Sequence, residues 1–469
     1  MILGSTVISE PRALYHGLRL SEADLVRLWD GQRFPAEALV NREGLALRVV
    51  YRGRPAGGPG PDFRDAVIAG GEQEWRGDVE LHVTASAFRQ HGHHRDPAYD
   101  NVVLHVVFWD DERLETRLAC GRSVPTLALA PWVARRAGEL HGWLTQPARW
   151  QEPCRTALVR LGPAAVAAIL DDAGDVRFRE KADAFAAAIA VMEEEEALYR
   201  GLLEALGYSR NRDPFRRLAE ALPWRTLRSH LAAQAQEERL LAAEAALLGT
   251  AGFLPPEESP DPYLALLQER WRAQSGRNTR QVTRNTGSVR VACPVSRVSL
   301  FLPWELTGRP QNHPARRLAG AARLLARCVD GGLRAGLLAA VAAGPRALAG
   351  ALRVPADGFW RDHHDLTSGP ARLPAGLIGP GRAGELAVNV VLPFALGWSE
   401  SRDAPLAEAA VAVFHRYPRP SSYGGLKSLS AALGSRVTKG ARRQQGMLNL
   451  FRRYCRQGGC AGGGGCPLA

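Results

Sequence analysis

The sequence predicts an α+β protein, with an α/β unit in residues 1–150 and a mostly α-helical remainder. Short apolar runs rich in β-branched residues cluster between residues 45 and 130, separated by polar or Gly/Pro-rich breaks. From about residue 155 they give way to alanine- and leucine-rich stretches with helical spacing. A chain of 469 residues has room for two or three domains.

Residues 21–31 (SEADLVRLWDG) predict a short helix, with Ser21 as N-cap and Asp24 approximating a capping box. LALRVVY at 45–51 predicts a strand, and the Gly/Pro-rich segment 53–61 a turn. Strands follow at 63–69 and 75–84. NVVLHVVFW at 101–109 is nearly continuous in apolar residues, the pattern of a strand buried on both faces. VPTLALA at 124–130 predicts another strand. Helical patterns cover 163–206, 227–249, 313–352, 404–416 and 440–455, and Glu193 to Glu196 read as a solvated helix face. A proline-rich break at 254–262 and a Gly/Pro-rich region at 354–384 interrupt them. The expected domains are 1–150, 151–262 and 263–469.

The formal net charge is +12, which favours an anionic partner such as nucleic acid. Only Lys181, Lys427 and Lys439 are lysines, so arginine carries nearly all of it, and a GC-rich genome can produce the same skew. No apolar run is long enough to span a bilayer, and the N-terminus lacks the pattern of a signal peptide. A cytoplasmic protein without membrane contact is expected. Seven cysteines in such a protein read as thiols or metal ligands more than as a disulfide framework.

The most informative local pattern is 58-GPGPDF-63 followed by 77-GDVELHV-83. Side chains two apart on a strand share a face, so Glu80 and His82 project side by side, opposite Val79, Leu81 and Val83. Asp62 precedes the second strand, and a hairpin would bring it near Glu80. Convergent carboxylates beside a third polar ligand suit Mg²⁺ or Mn²⁺, which can activate water against a phosphate. The bland alternative is a turn aspartate and the wet face of a half-buried strand. His91, His93 and His94 lie in a polar loop near this site, able to touch phosphate or metal. His105, inside the buried strand, reads as a core histidine.

The runs GPGPDFRDAVI, GDVELHVTASAFRQHGHH and DPAYDNVVLHVVF resemble the hallmark of a large uncharacterised bacterial family, known only as a domain of unknown function. The likeness continues in 206-LGYSRN-211, 309-RPQNHPARRLA-319 and a cysteine-bearing C-terminus, so it spans most of the chain. More distantly, the order helix, strand, PD-strand, ExH-strand and further strand is similar to the PD-(D/E)XK nuclease core. That resemblance implies metal binding by Asp62 and Glu80. It also puts His82 where a lysine usually stands, a departure that bears on catalysis.

The tail 454-YCRQGGCAGGGGCPLA-469 holds Cys455, Cys460 and Cys466, and Cys154 stands near residue 150. Four thiolates suit Zn²⁺ or an iron–sulfur cluster. Some PD-(D/E)XK nucleases carry a four-iron cluster on one upstream and three C-terminal cysteines; this arrangement is similar, except that Cys154 follows the nuclease motifs. A flexible glycine-rich tail with incidental thiols is the alternative. Cys120, Cys293 and Cys328 read as inert. Seven arginines between 270 and 299, and Arg442, Arg443, Arg452 and Arg453 near the C-terminus, are candidate phosphate contacts.

These features predict a metal-dependent nuclease acting on DNA or RNA. The alternatives are a catalytically inert nucleic-acid-binding or scaffold protein on the same fold, and a hydrolase of smaller phosphoesters.

Overall fold

Alternating apolar and polar side chains between residues 39 and 128 build a seven-stranded mixed sheet. The structure is a computed structural model describing residues 20–32, 39–56, 60–71, 73–112, 114–134, 137–145, 153–208, 210–276, 302–306, 310–421, 423–455 and 465–469. The strands are β1 (Leu39–Val40), β2 (Ala46–Tyr51), β3 (Arg54–Pro55), β4 (Phe63–Gly70), β5 (Gln73–Thr84), β6 (Val102–Trp109) and, beyond a small hairpin of β7 (Thr116–Arg117) and β8 (Ser123–Val124), β9 (Thr126–Ala128). Their order is β1-β2-β4-β5-β6-β9, with β3 also paired to β4. The strands β2, β4 and β5 form an antiparallel meander. The strand β6 runs parallel to β5, and β9 parallel to β6. A parallel neighbour requires a crossover, and residues 85–101 supply it.

Helix α1 (Glu22–Gly31) begins with the expected capping box: Asp24 N–H donates to Ser21 Oγ at 3.3 Å, and Ser21 N–H to Asp24 Oδ2 at 3.1 Å. Its Leu25, Leu28 and Trp29 share a buried cluster with Val79, Leu81 and Leu104. Burying such side chains is worth roughly 1.5–3 kcal/mol each. The opposite sheet face carries Glu80, His82 and His105. Thus β5 from Gly77 to His82 and β6 up to Phe108 are buried on both sides; on this second face β5 is polar, while β6 sets His105 between Val103 and Val107.

The chain divides into two compact units. One comprises residues up to Ile169 with Gly424–Val437 and Met447–Ala469; the other comprises Leu170–Tyr423 with Thr438–Gly446. In chain order the helices after α1 are α2 (Ala87–Gln90), α3 (Ala130–Ala134), α4 (Leu140–Thr145), α5 (Pro153–Ile189), α6 (Glu194–Leu206), α7 (Arg212–Ala221), α8 (Trp224–Ala232), α9 (Arg239–Thr250), α10 (Pro262–Gly276), α11 (Pro314–Ala326), α12 (Leu333–Ala342), α13 (Pro345–Leu352), α14 (Pro380–Leu386), α15 (Leu392–Ser399), α16 (Ala404–Arg416), α17 (Lys427–Val437) and α18 (Gly440–Arg453). Short strands β10 (Val354–Pro355) and β11 (Gly376–Ile378) pair within the second unit. Its interior is a leucine- and alanine-rich helical core. There Glu244, 2 % exposed, pairs with Arg323 and accepts from Tyr263 Oη at 2.9 Å. The fold class is therefore the mixed α+β arrangement expected. Among the described residues no helix is long and apolar enough to cross a membrane.

Several expectations need correction. The span 163–206 is two helices, α5 and α6, because the chain breaks between Ile189 and Glu194. The stretch 227–249 likewise splits into α8 and α9. The run Glu193–Glu196 is not merely a solvated face. Glu194–Glu196 fill the first turn of α6, where carboxylates complement the helix dipole. Glu196 is buried and accepts from Trp224 N–H at 2.7 Å; Glu195 accepts from Trp224 Nε1 at 2.9 Å and Arg334 N–H at 3.0 Å.

Candidate metal centre

The β4–β5 hairpin places Asp62 beside Glu80. Asp62 N–H donates to Glu80 Oε2 at 3.1 Å, and Leu81 N–H donates to Asp62 Oδ2 at 3.1 Å. One carboxylate is thus fixed by the other's backbone, and the second by the strand between Glu80 and His82. His82 lies on the same face as Glu80, with its Nε2 3.6 Å from Glu80 Oε1.

The loop after β5 returns two more histidines to this face. The four-residue helix α2 ends at His91, and Gly92, with φ of 79°, reverses the chain as residues with a Cβ seldom can. His93 opens a 3₁₀ turn. The carboxylate of Asp96 accepts from Ala98 N–H at 2.9 Å and closes the next turn, which positions Tyr99. The Tyr99 ring stacks on His93 with centroids 3.9 Å apart. His93 Nε2 then lies 3.3 Å from Glu80 Oε1, and His91 Nδ1 3.2 Å from His82 Nε2. Each of His82, His91 and His93 offers a ligand nitrogen within 4.8 Å of the other two. The site opens outward through His91, while Glu80 and His82 are 5 % and 1 % exposed.

Behind His82 runs a buried polar chain. His82 Nδ1 and His105 Nε2 are 3.1 Å apart, His105 Nδ1 and Thr116 Oγ1 2.8 Å, and Thr116 Oγ1 and Thr126 Oγ1 3.0 Å. A donor direction running from His82 Nδ1–H to Thr126 satisfies every member and leaves the His82 Nε2 lone pair facing Glu80, His91 and His93. An outer shell of this kind fixes the tautomer of a metal-ligating histidine.

Electrostatically, the site suppresses charge. Burial, reinforced by Asp62, pushes the Glu80 carboxyl up to about 9, and burial raises Asp62 as well. Burial, then the neighbouring His93 and His91, holds His82 down at about 3; burial also lowers His93, and His105 falls well below the usual histidine range. Neutral imidazoles are the form that binds a metal, and a divalent cation would restore the Glu80 carboxylate. A small pocket adjoins the site, lined in part by Phe88, Arg89, His94, Glu112, Thr116 and Arg117. His94 lines this pocket, and its Nδ1 is buried without a hydrogen-bond partner.

The sequence-derived residues thus fare differently. Asp62, Glu80 and His82 converge. His91 and His93 join them, and an H-x-H a short loop beyond E-x-H was the signal for that. Thr116 and Thr126, the far end of the buried chain, left no recognisable pattern. Arg442 and Arg443 lie on α18 where it crosses α5. Their partners are Asp175, 2.8 Å from Arg442 Nε, and Asp171, 3.0 Å from Arg443 Nε. The crossing is close: a Cβ on Gly446 would meet the Leu170 carbonyl oxygen at 1.9 Å. Arg452 and Arg453 are exposed near the end of α18. Cys154, Cys455 and Cys466 are half-buried in the first unit; Cys460 lies outside the described residues, so the four-thiolate arrangement does too. Of the arginines in 270–299, Arg270 pairs with Glu238 and Arg272 with Glu258. Arg277, Arg280, Arg284, Arg290 and Arg297, with Cys293, lie outside the described residues.

A family model described as protein of unknown function (DUF2851) matches residues 22–420, and the chain belongs to that family. No curated protein and no solved structure matches.

Proposed function

We propose that this DUF2851 member is a metal-dependent hydrolase of phosphodiesters in nucleic acid, with Glu80, His82, His91 and His93 as its metal ligands. The observation that carries the reading is the spacing of their donor atoms. A tetrahedral ion with bonds of about 2.0–2.1 Å spaces its ligand atoms about 3.3–3.4 Å apart. Three of the six separations that such a set requires are 3.2, 3.3 and 3.6 Å, and the three imidazole nitrogens lie within 4.8 Å of one another. An imidazole-rich set with one carboxylate suits Zn²⁺ or Mn²⁺ better than Mg²⁺, which prefers oxygen. Asp62, expected as a ligand, acts on this reading through its N–H, which orients Glu80.

A divalent ion bound here would supply Lewis acidity and lower the pKa of water. The protein residues do the rest. Glu80 and the three imidazoles hold the ion, the His105–Thr116–Thr126 chain orients His82, and the open edge at His91 admits substrate. Arg117 lines the adjoining pocket, where a phosphate would need a cation, and Arg89 there is paired with Glu112. The order of helix, antiparallel meander and parallel fourth strand supports a nuclease, with Asp62 ahead of the second strand and Glu80 on the third. The net charge of +12 adds to it.

One observation favours a non-catalytic, nucleic-acid-binding version: a neutral His82 stands where a lysine would meet the phosphate. The deciding experiment is cleavage of DNA and RNA by purified protein with Mn²⁺ or Zn²⁺, beside Glu80→Gln. Metal-dependent cleavage lost in the variant supports hydrolysis. Metal and nucleic-acid binding without cleavage supports the second version, and neither binding nor cleavage removes both.

A further inference from the structure

Two segments that stood out in the sequence, 206-LGYSRN-211 and 309-RPQNHPARRLA-319, meet in the helical unit, far from each other in sequence and unused by the reading above. Leu206 ends α6, and Tyr208 follows with φ of 54°, a left-handed conformation that tyrosine rarely adopts. Asn211 anchors this loop: its Nδ2 donates to the Glu305 carbonyl at 2.9 Å, and Glu305 N–H donates back to Oδ1 at 2.8 Å. The guanidiniums of Arg317, from α11, and Arg382, from α14, lie 3.9 and 3.0 Å from the centroid of the Tyr208 ring.

These two cations are under-compensated. Arg317 is 5 % exposed; it donates to the Leu206 carbonyl at 2.6 Å and, among the described residues, forms no ion pair. Among the described residues Arg382 reaches only the Ala205 carbonyl, at 3.4 Å, and its buried Nη2 has no partner. The nearest acid acting on Arg382, Glu385, already accepts from Asn389, Ser421 and Tyr423. The neighbouring Arg316 supplies the contrast. It is the most deeply buried of the three, at 1 % exposure, but it donates to the carbonyls of Trp360, His363 and Pro374. Arg316 ties backbone together; Arg317 and Arg382 keep donors in reserve. A guanidinium cannot shed its charge as a histidine can, so an unpaired one at low exposure calls for an anion. Its planar fork fits the oxygens of a phosphate group.

We propose that Tyr208, Arg317 and Arg382 form a phosphate-binding site in the helical unit, separate from the metal centre and independent of the reading given to it. Tyr208 supports both guanidiniums through its ring, and its strained backbone turns that ring, half exposed, toward the ligand. The phosphate group can be free or the terminal group of a nucleotide chain.

The test is calorimetric titration of the full chain, at fixed ionic strength, with inorganic phosphate, with a 5′-phosphorylated dinucleotide, and with its unphosphorylated counterpart. Saturable phosphate binding that Arg382→Gln weakens by about tenfold or more supports the site. Tighter binding of the phosphorylated dinucleotide than of inorganic phosphate assigns a nucleotide source; equal or weaker binding assigns free phosphate. Arg317→Lys, which keeps the charge and loses the fork, should also weaken binding and serves if Arg382→Gln does not fold. No saturable binding of either phosphate ligand by the wild type overturns the proposal. Binding left unchanged by a folded Arg382→Gln or Arg317→Lys protein does the same.

Discussion

The histidine pocket of the sheet unit and the arginine cluster of the helical unit bury ionisable groups by opposite means. Around Glu80 every group can become neutral. Burial pushes Glu80 to about 9 and His82 to about 3, so the pocket can hold itself uncharged until a cation arrives. Around Tyr208 the guanidiniums keep their charge, and among the described residues neither forms an ion pair. The difference lies in side-chain chemistry: imidazole and carboxyl are switchable at accessible pH, guanidinium is not. Glu244 with Arg323 shows a third solution, a buried pair that is already complete.

The largest expected effect breaks the first half of this comparison. Glu80→Gln keeps the shape and removes the ionisable ligand, so metal-dependent phosphodiester cleavage should fall by about 10²-fold or more, measured as kcat/KM. Undiminished cleavage would remove Glu80 from the site. Next, the two arginine types should separate on chemical denaturation. Arg316→Met takes the donor from three backbone carbonyls, that of Trp360 buried, and should cost about 2–4 kcal/mol. Arg382→Gln removes a charge without an ion pair and should cost less than about 1 kcal/mol. Equal losses would erase the distinction between clamp and ligand site.

A smaller effect tests the outer shell. Thr116→Val keeps the shape but deletes the acceptor of His105, so Zn²⁺ or Mn²⁺ affinity should drop about 10-fold with little change in fold. The smallest is a pH trend in chelator-treated protein. Glu80 titrates near 9 when folded against an ordinary value near 4.5, so its stabilising contribution is complete below about 4.5 and is lost as pH rises toward 9. His82 titrates near 3 against 6.5, so its contribution is complete above about 6.5 and is lost as pH falls toward 3. The two oppose each other between 4.5 and 6.5. Above 6.5 only Glu80 acts, and the melting temperature should decline toward pH 9. Glu80→Gln should flatten that decline.

Much of the sheet unit was legible because strands advertise themselves locally. β6 is an apolar run interrupted only by His105, and the period of two along β5 puts Glu80 and His82 on one face. The capping box at Ser21 is equally local. What failed was long-range. The helical patterns at 163–206 and 227–249 gave no sign of their breaks, because alanine-rich sequence is compatible with a helix throughout. The acidic run at 193–196 looked solvated until Trp224 and Arg334, distant in sequence, came to meet it. Composition likewise cannot reveal that Asp175 and Asp171 on α5 face Arg442 and Arg443. The sequence places His91 and His93 in the loop after β5, but the turn at Gly92 and the stacking of His93 on Tyr99 are details it does not show.

The central claim is that Glu80, His82, His91 and His93 are a metal-binding set. It is tested most directly by the metal content of purified protein, measured by mass spectrometry after dialysis against trace Zn²⁺ or Mn²⁺. The account predicts stoichiometric retention of a single ion per chain by the wild type, lost in a folded His91→Ala, His93→Ala double variant. An ion-free wild type, or a double variant that retains as much metal, would contradict it.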